Sequence, residues 1–131
     1  MAKLLYAAAV LLLFAACYGA MLVGAPRELS VDDENVKDAL KYAMYEYNKA
    51  NNDMFQSRPV KVHNATVQLV NGLKYDMNVE IRRTVCKKTT TAINECPFHE
   101  EPSLAKAKTC HFIVVNCKWA SKIYTEKVEC Q

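Results

Sequence analysis

Six cysteines stand in 131 residues, at positions 17, 86, 96, 110, 117 and 130. Sulfur at that density forms disulfides, binds a metal or attacks a substrate. Zinc sites built on cysteine use closely spaced pairs, and no CxxC occurs here. His99 and His111 lack finger spacing, so no metal site is expected. A catalytic thiol needs a base beside it. His63, His99 and His111 fall in separate segments, with no spacing that pairs them with a cysteine or carboxylate. There is no GxGxxG, P-loop or HExxH pattern, so nucleotide and zincin chemistry have no local support and no cofactor is expected. Disulfides remain, and they require an oxidising compartment.

The amino terminus supplies a route to one. Lys3 precedes an apolar run from Leu4 to Ala16, and small residues follow at Ala15, Ala16, Gly19 and Ala20. This reads as a secretory signal over residues 1–19, cut after Gly19, with Ala20 as the next option. The run is short for a membrane span and lacks a stop-transfer flank, so no membrane anchor is expected. A buried core helix and a lipid-anchored Cys17 are the rival readings of the same residues. Residues 20–131 then form one domain, secreted to the extracellular space. Cys17 leaves with the signal, so four of the remaining five cysteines pair and one is left over. The triplet Asn64-Ala65-Thr66 is a glycosylation acceptor in a eukaryotic secretory path, and an unmodified asparagine otherwise.

The chain is 51% hydrophobic and 24% charged, with a net charge of +3. Those proportions suit a folded soluble domain rather than a disordered one. The small positive excess argues against a nucleic-acid partner, which would need a clustered basic face.

A helix and a run of strands must position the candidate residues. Ser30 is expected to cap a helix, with Asp33 completing a weak capping box. Val36, Leu40, Ala43 and Tyr47 then form one apolar stripe, broadened by Ala39 and Met44. The asparagine-rich stretch from Asn48 to Asp53 ends it. Beyond it the period drops to two. A strand opens at Val60 and Val62 and passes a bulge near Asn64 to Val67 and Leu69. Asn71-Gly72 is a hairpin turn. Leu73, Tyr75, Met77, Val79 and Ile81 then alternate with polar residues as a long half-buried strand. Residues 87–107 are polar and irregular. Cys110 to Cys117 is apolar, Lys118 to Lys122 turns, and Ile123 to Cys130 is a last strand.

The fold class is therefore α+β: one long helix packed across a twisted antiparallel sheet of four to five strands. Cys86 and Cys96 bracket the irregular segment, and Cys110 and Cys130 sit at the outer ends of a hairpin turning near Trp119. Spacing leaves other pairings open. Trp119 is the only tryptophan, and a tryptophan at a turn serves as an interface anchor or a half-buried strand end.

These features together resemble the type-2 cystatins, secreted inhibitors of papain-like cysteine peptidases. Leu22-Val23-Gly24-Ala25-Pro26 is similar to the amino-terminal trunk with its single glycine. Ala39-Leu40 and Ala43 through Asn48 resemble the helix signature, and Gln68-Leu69-Val70-Asn71-Gly72 matches Q-x-V-x-G. Cys86/Cys96 and Cys110/Cys130 match the two family disulfides in order and spacing. The second hairpin departs from the pattern: Lys118-Trp119 stands where the family usually has Pro-Trp, exchanging a fixed φ for a charge.

The resemblance implies a monomeric binding inhibitor of cathepsin-type peptidases, not an enzyme. Three pieces would form its wedge: Leu22, Val23 and Gly24; the loop Gln68, Leu69, Val70, Asn71 and Gly72; and Trp119. A hairpin tip fills a cleft without offering a cleavable bond, because the sheet holds its backbone. Gly24 is expected to supply backbone angles closed to other residues. Asn51-Asn52-Asp53 resembles the Ser-Asn-Asp stretch through which some family members inhibit legumain, an asparagine-specific peptidase, with Asn52 in the specificity pocket. An ordinary asparagine-rich loop ending the helix is the alternative there. The alternative for the whole chain is a non-inhibitory binding module of the same fold, cathelin-like; the chain stops one residue past Cys130, short of the cationic peptide of a cathelicidin precursor.

Overall fold

The structure is a computed structural model and describes residues 24–89 and 93–131. The leader, with Leu22 and Val23, lies outside the described residues. Five strands form one antiparallel sheet in sequence order. They are β1 (Arg27–Glu28), β2 (Phe55–Leu69), β3 (Leu73–Lys87), β4 (Lys108–Cys117) and β5 (Lys122–Cys130). Helix α1 (Glu34–Ala50) lies across one face, and a short α2 (Pro102–Ala105) sits in the β3–β4 connection.

The two periodicities meet in the core. Val36, Leu40 and Ala43 of α1 are buried against Tyr75, Met77, Val79 and Ile81 of β3 and Phe112 and Val114 of β4. Each large apolar side chain so buried contributes roughly 1.5–3 kcal/mol. Tyr47 meets Phe112 edge-on, with ring centroids 6.4 Å apart. The helix end is tied to the sheet by a side chain that copies a strand. Buried Asn48 accepts from the Ser57 N–H at 2.8 Å and donates to the Ser57 carbonyl at 2.9 Å. Both polar ends of the amide are thereby satisfied away from water.

Three boundaries differ from expectation. The helix cap is Asp33, not Ser30: the Asp33 carboxylate accepts from the Asn35 N–H at 2.8 Å. Ser30 instead closes a turn by accepting from the Asp32 N–H. Strand β2 starts at Phe55, five residues before Val60. Gln56 and Ser57 are buried polar residues and Pro59 sits inside the strand, so the period of two is hidden. Proline is tolerated because the register shifts between Pro59 and Lys61. A further shift between Val62 and Asn64 is the expected bulge. The lead ahead of the helix shows no periodicity in sequence, yet Arg27 and Glu28 pair with Val67 and Thr66.

Both disulfides form, Cys86–Cys96 and Cys110–Cys130, with Cα–Cα distances of 5.9 Å and 4.0 Å. Cys110 and Cys130 are direct partners across β4 and β5. Each bond stabilises by roughly 2–4 kcal/mol, chiefly by restricting the unfolded chain. The leftover-cysteine expectation is corrected at Cys117. It is fully buried at the end of β4, and no described cysteine is a free thiol.

Candidate functional site

The sheet brings three separated pieces of chain to one edge. Strands β2 and β3 close at the pair Leu69 and Leu73, and β4 and β5 close at Cys117 and Lys122. Leu73 also pairs with Asn116, so both hairpin tips project from the same end of the sheet. The lead arrives there too. The Gly24 N–H donates to the Leu69 carbonyl at 2.8 Å, and the Gln68 side-chain amide donates to the Gly24 carbonyl at 2.8 Å.

The first tip is rigid for stated reasons. The Val70 N–H donates to the Gly72 carbonyl at 2.9 Å, closing the turn over Asn71. Gly72 is buried with φ at +154°, at the edge of the region that other residues avoid. A Cβ there would lie 3.0 Å from the Asn116 carbonyl oxygen and 3.2 Å from the Cys117 Cα. Those are backbone atoms with no room to yield. Glycine at 72 therefore lets the first tip seat directly on the base of the second.

The second tip is a single 3-10 turn, Lys118–Ala120, ended by Ser121 in a left-handed conformation with φ at 50°. The Ser121 N–H donates to the Lys118 carbonyl at 3.3 Å. This turn forms without the family's proline. The Lys118 ammonium reaches the Asn35 side-chain oxygen at 3.4 Å, at the start of α1. Trp119 is 56% exposed and Leu69 49%. The edge thus presents two large apolar side chains to solvent on a backbone already fixed, which is what a pre-ordered contact surface needs.

At Gly24 a Cβ would meet the Leu69 Cβ at an ordinary 3.5 Å. Space alone does not demand glycine there. What fixes Gly24 is the pair of hydrogen bonds to residues 68 and 69, a link the sequence did not signal.

The second candidate, Asn52, sits at the far end of the sheet. Strand β2 is 15 residues long, and at a rise of about 3.3 Å per residue the two ends stand on the order of 40 Å apart. Asn52 is exposed, and its neighbours are pinned. Asn51 caps α1, its N–H and side-chain amide both donating to the Tyr47 carbonyl. Its side-chain oxygen accepts from the Asp53 N–H at 2.9 Å. Asp53 accepts from the Phe55 N–H at 3.0 Å and from the Arg83 guanidinium at 2.8 Å. Burial pushes the Asp53 carboxyl up, but the Phe55 N–H and the Arg83 charge outweigh it and hold it below the usual range. Lys88 reaches across from the end of β3 to the Asn48 carbonyl and the Asn51 side chain. Sequence reasoning missed Lys88 and Arg83, because they lie 37 and 30 positions from the loop residues they hold.

Asn64 is exposed on β2 and accepts from the Asn78 side chain at 2.8 Å. Among the described residues no cluster of His, Cys, Asp and Glu is arranged to hold a metal, and no helix is long and apolar enough to cross a membrane.

Comparison with known proteins agrees with this fold. The family model described as "Cystatin domain" matches residues 24–119. The protein named Cystatin from Coturnix japonica is 46% identical over 110 residues, covering 84% of this chain and 95% of that protein. The Gallus gallus protein of the same name is 43% identical over 128 residues, covering 95% and 92%. Among solved structures, dimeric human cystatin F superposes with a TM-score of 0.77 at 30% identity, covering 85% of this chain and 89% of that one.

Proposed function

The chain belongs to the cystatin family, inhibitors of cysteine peptidases and not enzymes, and on that premise we propose that it plugs the cleft of papain-like, cathepsin-type peptidases with its glycine-and-tryptophan edge. Leu22, Val23 and Gly24 would enter the substrate side of the cleft, Gln68 to Gly72 its centre, and Trp119 the far side. The observation that carries this reading is the meeting of Gly24, the Gln68–Gly72 loop and the Trp119 turn at one end of the sheet. The tip backbone is already paired, so little ordering entropy opposes association. A contact of standard size, roughly 1,600 Å² in total, suits such an edge. Each chain carries the whole edge, so the inhibitor works as a monomer.

The reading extends to location. Residues 1–19 serve as a secretory signal and the protein acts outside the cell, where its disulfides are stable. Titration of active papain with the secreted protein tests the central claim. Reversible, stoichiometric inhibition is expected, and no inhibition at micromolar protein overturns it.

A second surface is favoured by the pinned loop around Asn52. Its exposed side chain stands at the opposite end of the sheet and would enter the asparagine pocket of legumain. Both peptidases would then bind one inhibitor at once.

A further inference from the structure

The loop Asn51–Asp53 is held from both sides by residues of β3 and the segment just beyond it, and no function assigned above uses those residues. The Lys88 ammonium donates to the Asn48 carbonyl, to the Asn51 side-chain oxygen at 2.8 Å, and more distantly to the Asn51 carbonyl at 3.4 Å. It thus caps the last carbonyls of α1, where a cation is favoured. On the other side, the Arg83 Nε and Nη2 both lie 2.8 Å from one Asp53 oxygen, while the other Asp53 oxygen takes the Phe55 N–H. Asn51 and Asp53 are joined to each other through the Asn51 side-chain oxygen. Among the described residues no hydrogen bond engages the Asn52 side chain, so the residue between the two anchors is the one left to present.

We propose that Lys88 and Arg83 are positioning residues that clamp the Asn51–Asp53 loop, so that Asn52 occupies an asparagine-specific peptidase without being cut after. This rests on the reading of Asn52 given above. A substrate must straighten across the nucleophile, and the Asx turn from Asn51 to Asp53 opposes that while both anchors hold. The same anchors have already ordered the loop, so binding costs little further entropy. Neither anchor lies near the glycine-and-tryptophan edge, since Ser57 pairs with Arg83 and Phe55 with Lys87 at the far end of β2 and β3.

The test uses the whole chain, an asparagine-specific cysteine endopeptidase, and papain in parallel. The wild-type protein is expected to inhibit both enzymes and to stay intact by mass spectrometry, with Asn52→Ala abolishing only the first inhibition. Lys88→Met and Arg83→Gln are each expected to weaken that inhibition about tenfold and to be cut after Asn52. Papain inhibition stays unchanged in both, and Lys88→Arg keeps most of the wild-type behaviour. Failure of the wild-type chain to inhibit the asparagine-specific enzyme overturns the reading of Asn52 and the clamp's role with it. Wild-type potency and integrity in both anchor variants overturns the clamp alone. Loss of papain inhibition in both variants also overturns it, because the effect would then not be local.

Discussion

Gly72 lies so close to Asn116 that a methyl group on its Cα would sit 3.0 Å from the Asn116 carbonyl oxygen. Two hairpins distant in sequence are thereby fused at their tips. Gly72→Ala must either move the first tip or strain its backbone at a φ of +154°. A stability loss of about 1–3 kcal/mol is expected, read as a lower denaturant midpoint with an unchanged slope. Papain inhibition should weaken as well, since the tip is displaced.

Trp119 separates contact from stability. It is 56% exposed and lies outside the buried cluster. Trp119→Ala should cost less stability than truncating fully buried Phe112. The inhibition constant for papain should rise roughly thirtyfold, about 2 kcal/mol, as for other aromatic anchors. An unchanged constant would remove Trp119 from the contact.

The Gln68–Gly24 hydrogen bond makes a prediction about coupling. Gln68→Ala removes the donor, and truncation through Gly24 removes the acceptor. If the side chain acts by docking the lead, the two losses of papain affinity will not add. Additive losses in a double-mutant cycle would show that Gln68 and the lead act separately.

Asp53 gives a pH prediction with a definite sign. Its carboxyl is held below the unfolded value of 3.8. The associated stability is present above 3.8 and is lost as pH falls through the lower folded value. The wild-type melting temperature should therefore drop on acidification below that point. Asp53→Asn should be less stable at neutral pH and show a shallower acid limb, measured by thermal melts across the acid range.

How far the sequence carried depends on the kind of contact. The α1 stripe and the alternation from Leu73 to Ile81 were legible because periodicity reports burial on one face. The turn at Gly72 was legible from its dipeptide, but the reason for glycine was not, because the opposing carbonyl belongs to Asn116. At Gly24 the two hydrogen bonds to residues 68 and 69 were not legible, because their partners lie on β2 more than forty residues away. The start of β2 was hidden because Gln56 and Ser57 are polar yet buried: the Gln56 amide donates to the Lys87 and Lys88 carbonyls, and the Ser57 backbone pairs with the Asn48 side chain. Such partners come from other elements, and local pattern does not reveal them.

The Cys110–Cys130 bridge has a consequence for how the molecule breathes. It fastens β5 to β4 at one end, and paired Thr109 and Gln131 backbones bolt that end again. The turn beside the indole ties the other end, so β5 has no free end from which to peel while the bridge is intact. Reducing the bridge frees the carboxy-terminal end alone, so deuterium uptake along residues 122–130 should then rise first next to Cys130 and last beside the turn.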